Sequence, residues 1–195
     1  MPDPLRVLFV CTGNICRSPM AEGMARERIK RVYPDRAGEV FASSAGVAAF
    51  DGNRVTEQAV LAMNERGIDI SAHRAQSVTV DLLEGYDLVL AMEESHRLYA
   101  EARAGSVPVF LLLRLGEAAQ RVLAAADDIW AIPSLAGRLA RLMSVALESE
   151  KEETRDLPEF AYEVNDPIGM PVNEYVRVAD TLEGPINGIL RVLLA

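Results

Sequence analysis

The chain has 195 residues, of which half are hydrophobic and a quarter are charged, so its length and composition are those of one ordinary globular domain. The 29 acidic residues outnumber the 20 basic ones, giving a formal net charge of −9, which argues against a nucleic-acid-binding protein. No apolar run approaches the roughly 20 residues that cross a bilayer, and the first residues do not resemble a signal peptide, so we expect a cytoplasmic protein with no membrane partner.

The first part of the chain alternates short apolar runs with helical patterns. The apolar runs predict four strands, over 5–10, 39–45, 86–92 and 108–113. Helices are predicted between them, from a cap at Ser18 to a stop at Pro34, over 54–66 with Gly67 as the C-terminal cap, and over about 93–103. Strands that alternate with helices form a parallel sheet through right-handed crossovers. The predicted fold class is therefore α/β, with an open, doubly wound, four-stranded parallel sheet flanked by helices.

The second part of the chain has helical patterns only. The pattern from Leu115 to about Arg155 carries an amphipathic leucine-rich stripe, which predicts helices that bury one face. The last segment, 173–195, is also predicted to be helical. Gly184 and Pro185 should kink or split this last helix, because proline removes a backbone donor.

Chemistry is concentrated in the loop between the first strand and the first helix, residues 11–18, with the sequence CTGNICRS. Ligands bind at the carboxyl ends of parallel strands, and the amino terminus of the following helix favours anions. Successive backbone N–H groups in such a loop can surround a tetrahedral oxyanion, and the Arg17 guanidinium can bind two of its oxygens. The helix dipole and Arg17 also favour the thiolate form of Cys11, to which Ser18 can donate a hydrogen bond.

Both cysteines of the chain, Cys11 and Cys16, lie in this loop. Two cysteines in one loop predict neither a disulfide framework nor a four-ligand zinc site. Their proximity in a reducing compartment points to chemistry instead of a structural role.

The segment CTGNICRSPMAEG, residues 11–23, resembles the low-molecular-weight protein tyrosine phosphatase family, whose hallmark is Cys-x5-Arg-Ser near the amino terminus. The likeness continues through 43–46, 67–74 and 87–92 and resumes at Asn165-Asp166-Pro167, so that it covers residues 5 to about 113 and about 160 to 195. Family members are usually shorter. The resemblance therefore implies one phosphatase domain over 1–195, with a helical insertion at about 115–157 before the general-acid loop.

The resemblance implies a metal-free and cofactor-free enzyme that dephosphorylates a protein or peptide. Cys11 would attack phosphorus to form a phosphocysteine intermediate. Ser18 would stabilise the thiolate, and Asp166 would be the general acid that protonates the leaving group. The oxyanion would be bound by Arg17 and by the loop residues Thr12, Gly13, Asn14, Ile15 and Cys16.

The family match also implies supporting roles for residues outside the reaction itself. Asn14 and Ser44 would hold the shape of the loop by hydrogen bonds, and His73 would join that network or be an ordinary buried histidine. Cys16 would pair with Cys11 on oxidation and protect it, or would be a buried spectator.

The substrate cues of the sequence point in two directions. Phosphoarginine-specific relatives carry threonine where this chain has Ile15, and a branched apolar side chain suits an aromatic ring better than a guanidinium. Phosphotyrosine enzymes of the family typically place an aromatic residue after the Asp-Pro pair, whereas this chain has Ile168, although Phe50 could form the wall of the pocket instead. We favour phosphotyrosine, with protein-arginine phosphatase activity as the alternative.

Two further functions share features with this sequence. An arsenate reductase that relays to thioredoxin needs cysteines outside the loop, which the chain lacks, so only a reductase that uses an external thiol stays open. A non-catalytic phospho-ligand binder or redox sensor needs neither a nucleophile nor a general acid, so the joint presence of Cys11 and Asp166 counts against it. The sequence does not define the oligomeric state.

Overall fold

The computed structural model describes residues 3–125, 129–152 and 160–194. Four strands form one parallel sheet in the order β2-β1-β3-β4, with the bounds β1 Leu5–Cys11, β2 Val40–Gly46, β3 Leu88–Ala91 and β4 Val109–Leu111. The predicted α/β class and four-stranded parallel sheet are confirmed. β1 lies in the middle, so its carboxyl end faces the ends of both neighbouring strands, which is where such sheets bind ligands.

Seven helices occur within the described residues: α1 Arg17–Val32, α2 Glu57–Asn64, α3 Val80–Glu84, α4 Glu94–Glu101, α5 Leu112–Ala124, α6 Leu135–Glu152 and α7 Val172–Leu194. Single 3-10 turns lie at Pro34–Arg36 and Ile129–Ala131. None of these helices combines the length and apolar character needed to cross a membrane.

The core lies on both faces of the sheet. Alternate residues of β1, such as Val7 and Phe9, join the larger apolar cluster, to which α1, α2, α5, α6 and α7 contribute. The residues between them, Leu8 and Val10, face the smaller cluster on the side of α4. Burial on both faces explains why β1 is a nearly continuous apolar run instead of an alternating one.

The helix starts differ from the sequence predictions. Ser18 was expected to cap the first helix, but α1 begins at Arg17 and Cys16, in the cap position, makes no side-chain capping hydrogen bond. The Ser18 hydroxyl instead turns towards Cys11. α2 begins at Glu57 and not at Arg54, because the Thr56 side chain accepts a hydrogen bond from the Ala59 N–H and sets the start of the helix.

Other boundaries were also predicted incorrectly. The short helix α3, capped by Thr79, was not predicted, since five residues are too few to show a helical period. The fourth strand ends at Leu111, and α5 starts directly at Leu112 instead of Leu115. Of the predicted insertion at 115–157, residues 126–128 and 153–157 lie outside the described residues. Ala195, the predicted end of the last helix, lies outside them too.

The last helix is not broken at its Gly-Pro pair. α7 runs without interruption from Val172 to Leu194 with Pro185 inside it. The reason is the packing of this proline on Gly116 of α5, where a Cβ added to the glycine would lie 2.4 Å from the proline Cβ and 2.7 Å from its Cα. Gly116 therefore lets α5 approach the proline of α7 directly, and this close packing offsets the lost backbone hydrogen bond.

Gly116→Ala should destabilise the protein by about 1–3 kcal/mol, because the new methyl group overlaps rigid proline atoms. The matched control is Gly38→Ala in the exposed turn before β2, where the added Cβ meets no atom beyond its chain neighbours within 4 Å. That substitution should change the free energy of unfolding by less than about 0.5 kcal/mol, as is usual at an exposed position. Denaturant unfolding measures both free energies. Equal stability of the two variants would contradict the close packing of α5 on α7.

Candidate active site

The loop of residues 11–18 lies at the carboxyl end of β1 and rests on the end of β2. Backbone N–H groups of the chain after β2 hold it, from Val47 to the Cys11 carbonyl and from Ala48 to the Thr12 carbonyl, each at 2.9 Å. A Cβ added to Gly46 would lie 2.5 Å from the Thr12 carbonyl oxygen and 2.9 Å from the Asn14 nitrogen. Only glycine therefore fits at position 46. The backbone at the end of β2 and just after it supports one side of the loop.

Cys11 is buried at the base of the loop, with 2 % of its surface exposed. Its Sγ lies 3.0 Å from the Ser18 Oγ, in the first turn of α1. The Ser18 hydroxyl can donate a hydrogen bond to this sulfur, which lies near the amino terminus of α1. The sequence predicts this contact between Ser18 and Cys11. The second role predicted for Ser18, capping of the first helix, is not found.

Asn14 is the centre of the hydrogen bonds that shape the loop. It is fully buried, and it is the one non-glycine residue in the described ranges with a positive φ, of 53°. Its side-chain nitrogen donates to Ser18 Oγ at 2.9 Å and to Ser44 Oγ at 2.8 Å. Its side-chain oxygen lies 3.2 Å from the Nε2 of His73 and accepts from the backbone of Gln76 at 2.9 Å. The predicted supporting residues Ser44 and His73 therefore both contact Asn14.

A buried carboxylate extends this network beyond the residues predicted from sequence. The hydroxyl of Ser44 donates to Glu22 at 2.6 Å, and Glu22 lies 3.6 Å from the Nδ1 of His73. Burial lowers the pKa of His73, which keeps the ring neutral at pH 7. Spacing along α1 does not reveal the role of Glu22, because its partner Ser44 lies on β2.

Arg17 is the other buried charge of the site, with 1 % of its surface exposed. Its Nη2 donates to Asp166 Oδ2 at 2.8 Å and to Thr12 Oγ1 at 3.3 Å. Its Nη1 donates to the Val164 carbonyl at 2.9 Å and to the carboxylate of Glu93. The sequence predicts Glu93 only as the start of a helix, whereas in the structure it occupies the cap position of α4 and also pairs with the guanidinium.

Asp166 reaches Arg17 because its segment adds to the end of β3. The N–H of Val164 donates to the Met92 carbonyl at 2.8 Å, and the Glu163 carboxylate accepts from the Glu94 N–H, the first of α4, at 2.9 Å. The other oxygen of Asp166 accepts from the Ile168 N–H at 3.2 Å. The general-acid candidate is thus held by backbone contacts on both sides of it along the chain. No local sequence pattern predicts these contacts.

The second cysteine of the loop is a buried thiol. Its sulfur lies 3.4 Å from Thr56 Oγ1 and 3.8 Å from the Tyr175 hydroxyl, and burial raises the pKa of Cys16. Both cysteines are free. Cys16 therefore lacks the features of a nucleophile, and its pairing with Cys11 on oxidation stays a prediction.

The remaining predicted loop residues complete the cradle. Gly13 and Ile15 are half-buried, and the Ile15 carbonyl accepts from the Thr56 N–H at 3.0 Å. The structure thus brings a nucleophile candidate, a guanidinium and a carboxylate together at the loop, and the first two are groups that can act on a tetrahedral anion. In the described ranges no three His, Cys, Asp or Glu side chains are grouped so that they could hold a metal ion.

His96, on α4, is a site residue that sequence reasoning did not identify. It is buried with 2 % of its surface exposed, and its Nε2 lies 2.9 Å from Thr12 Oγ1 and 3.7 Å from Glu93. Burial, assisted by the charge of Arg17, lowers the pKa of His96 to about 4. In the sequence His96 is one polar residue on an ordinary predicted helix. Its contact with the loop becomes visible only when α4 is packed against that loop.

The chain is similar to known proteins both in sequence and in fold. The model of the family described as low molecular weight phosphotyrosine protein phosphatase matches residues 6–127. A probable low molecular weight protein-tyrosine-phosphatase, EpsP of Ralstonia solanacearum, is 40% identical over 118 residues, which are 58% of this chain and 72% of the relative. A protein-arginine-phosphatase of Bacillus subtilis is 38% identical over 99 residues, 51% of this chain and 63% of the relative.

A solved structure is similar over nearly the whole chain. The low molecular weight protein tyrosine phosphatase from T. tengcongensis superposes with a TM-score of 0.65 and 32% identity, over 96% of this chain and 98% of the other. The likeness therefore extends beyond the phosphate loop to the complete sheet and its helices.

Acidification should weaken the fold through His96. Its folded pKa of about 4 lies below the ordinary value of 6.5, so between these pH values the unfolded chain binds a proton that the folded chain does not. The contribution of His96 to the free energy of unfolding is fully present above pH 6.5. As the pH falls towards 4, up to about 3 kcal/mol of this contribution is lost. Unfolding at pH 7.5 and 4.5 measures the loss in the wild type and in His96→Gln. The variant should lose about 2–3 kcal/mol less, and identical losses would contradict the prediction.

Proposed function

Because the chain belongs to the low molecular weight phosphotyrosine protein phosphatase family, we propose that it hydrolyses phosphotyrosine in proteins or peptides through a phosphocysteine intermediate. The observation that carries the proposal is the meeting of the buried Cys11 thiol, the buried Arg17 guanidinium and the Asp166 carboxylate at the end of one strand. Binding alone would need the guanidinium but neither a nucleophile nor a proton donor.

In the first step the Cys11 thiolate attacks phosphorus and the bond to the substrate oxygen breaks. The equatorial oxygens of the phosphoryl group are held by Arg17 and by the backbone N–H groups of residues 12–17, so that charge is stabilised as it redistributes. Asp166 gives its proton to the leaving phenolic oxygen. The carboxylate that now contacts Nη2 of Arg17 has to give up that contact when the phosphate enters, and it then faces the leaving group.

In the second step water attacks the phosphocysteine and Asp166 takes the proton from that water. The sulfur leaves as a thiolate, stabilised by the Ser18 hydroxyl at 3.0 Å. Ser18 is held in place by Asn14, whose strained backbone is maintained by Ser44 and His73. No step of this sequence requires a metal or a cofactor.

The preference for phosphotyrosine over phosphoarginine rests on apolar side chains around the loop. Phe50 follows the backbone segment that is bonded to the loop, and 77% of its surface is exposed. Ile168 and Met170 follow Asp166 and are about half exposed. Exposed apolar side chains on two segments tied to the loop provide walls for an aromatic ring, and Ile15 gives the loop itself an apolar flank.

The test is phosphate release from a phosphotyrosine peptide and a phosphoarginine peptide of the same sequence, with Cys11→Ser as the blank. We expect faster turnover of the phosphotyrosine peptide. Phe50→Ala should lower kcat/KM for that peptide by about 2- to 10-fold, the value of one aromatic contact. The matched control, Phe41→Ala at the opposite end of β2, should leave it unchanged. Preference for phosphoarginine would establish the alternative, and release from neither peptide would favour arsenate reduction or binding alone.

Asp166→Asn should slow phosphotyrosine hydrolysis by about 10²–10⁴-fold, because the phenolate would leave without a proton. The loss should be smaller with p-nitrophenyl phosphate, whose leaving group is more acidic and needs less protonation. Asp180→Asn, which removes an exposed carboxylate of α7, is the control and should have no effect. Single-turnover and steady-state rates on both substrates measure the difference. An equal loss on the two substrates would show that Asp166 does not act as the acid.

A further inference from the structure

One buried polar residue of the site takes no part in the steps described above. His96 contacts the loop through Nε2, while its Nδ1 is buried and makes no hydrogen bond within the described residues. A buried polar atom without a partner costs stability, and an apolar side chain at this position would avoid that cost. The histidine therefore lowers the stability of the fold, and the one hydrogen bond that its ring makes within the described residues is the contact that can explain its presence.

That contact is with Thr12, a residue that is otherwise exposed at the rim of the loop. The Thr12 hydroxyl oxygen accepts from Nη2 of Arg17 at 3.3 Å. A guanidinium can only donate, so the hydroxyl hydrogen of Thr12 is available to the unprotonated Nε2 of a neutral ring at 2.9 Å. His96, Thr12 and Arg17 thus form one chain of hydrogen bonds from the interior to the oxyanion site.

The two ends of the guanidinium are held very differently. Nη1 is held by the Val164 carbonyl and by the Glu93 carboxylate, neither of which belongs to the loop. Nη2 is held by Asp166 and Thr12. When an oxyanion displaces Asp166, Thr12 is the one remaining protein contact of Nη2 among the hydrogen bonds of the described residues. The orientation of the phosphate-binding face of Arg17 then depends on where the Thr12 hydroxyl is held.

We propose that His96 is a positioning residue for the phosphate-binding arginine, acting through Thr12. Its neutral ring holds the Thr12 hydroxyl, and Thr12 holds Nη2 of Arg17 while the phosphate is bound. The ring has to be neutral with its hydrogen on Nδ1, because an N–H at Nε2 would donate instead of accept and would compete with Arg17 for Glu93, which lies 3.7 Å away. This inference rests on the proposed function only for its catalytic consequence, since oxyanion binding alone suffices to observe it.

The test uses two pairs of matched variants. The amide of His96→Gln can occupy the place of Nε2 and still reach Thr12, whereas the shorter amide of His96→Asn corresponds to the unpartnered Nδ1. Thr12→Ser keeps the hydroxyl, and Thr12→Val removes it while preserving the shape. We expect Asn and Val to lower kcat/KM for the phosphotyrosine peptide by about 10- to 50-fold, the value of a hydrogen bond to a charged group. Gln and Ser should stay within about threefold of the wild type.

Inorganic phosphate binding to the same variants in a Cys11→Ser background, followed by titration calorimetry, gives a second readout that needs no turnover. His96→Asn and Thr12→Val should weaken this binding, while His96→Gln and Thr12→Ser should retain it. Weakened phosphate binding, together with no turnover of either phosphopeptide by the protein that retains Cys11, would leave the positioning role intact and would overturn the proposed function. Unchanged phosphate binding in folded Cys11→Ser/His96→Asn, together with turnover by the protein that retains Cys11, would overturn the positioning role alone.

A double-variant cycle separates positioning from packing. If His96 acts through Thr12, the double variant His96→Asn/Thr12→Val should be no worse than Thr12→Val alone. Losses that multiply would show that the two residues act independently and would overturn the proposal. Should His96→Asn fail to fold, the comparison of Thr12→Val with Thr12→Ser still decides, because Thr12 is exposed. Equal activity and equal phosphate affinity of those two variants would also overturn it.

Discussion

The buried guanidinium of Arg17 is the charge around which the site is assembled. A cation removed from water has to be surrounded by acceptors, and here they come from three separate parts of the chain: Thr12 in the loop, Glu93 at the start of α4, and the segment of Val164 and Asp166. The need to satisfy one charge thus ties the loop, the end of β3 and the segment of Val164 and Asp166 together. The grouping of these segments around the loop and the burial of the charge are two consequences of the same set of contacts.

The sheet and the loop could be predicted because their signals are local. β1 is a short apolar run that ends in a turn, and the Cys-x5-Arg spacing places a thiol and a guanidinium in one strand-to-helix loop. The partners of that guanidinium could not be predicted from spacing. Glu93 fits a helix start equally well, and His96 is an ordinary polar residue on a helix until α4 is packed against the loop. What decides their role is a contact between segments that are more than 70 residues apart, which no periodicity reveals.

The errors in the helix boundaries have the same origin. Ser18 is a good capping residue by type, but the nearby thiol and Asn14 use its hydroxyl instead. Pro185 is a helix breaker by type, but a glycine of α5 lies against its ring and α7 continues. In both cases a tertiary contact overrides the local preference of the residue type. Such exceptions are expected at functional sites and where two elements pack closely.

The distance along the chain between the two halves of the site has a consequence for how the protein is made. Arg17 and Asp166 are 149 positions apart. At translation rates of about 5–20 residues per second, the loop of residues 11–18 emerges from the ribosome roughly 7–30 seconds before Asp166. During that interval the nascent chain carries Arg17 without one of the two carboxylates that contact it in the folded protein. The growing polypeptide therefore exposes an incompletely balanced cation until the last part of this site has been made.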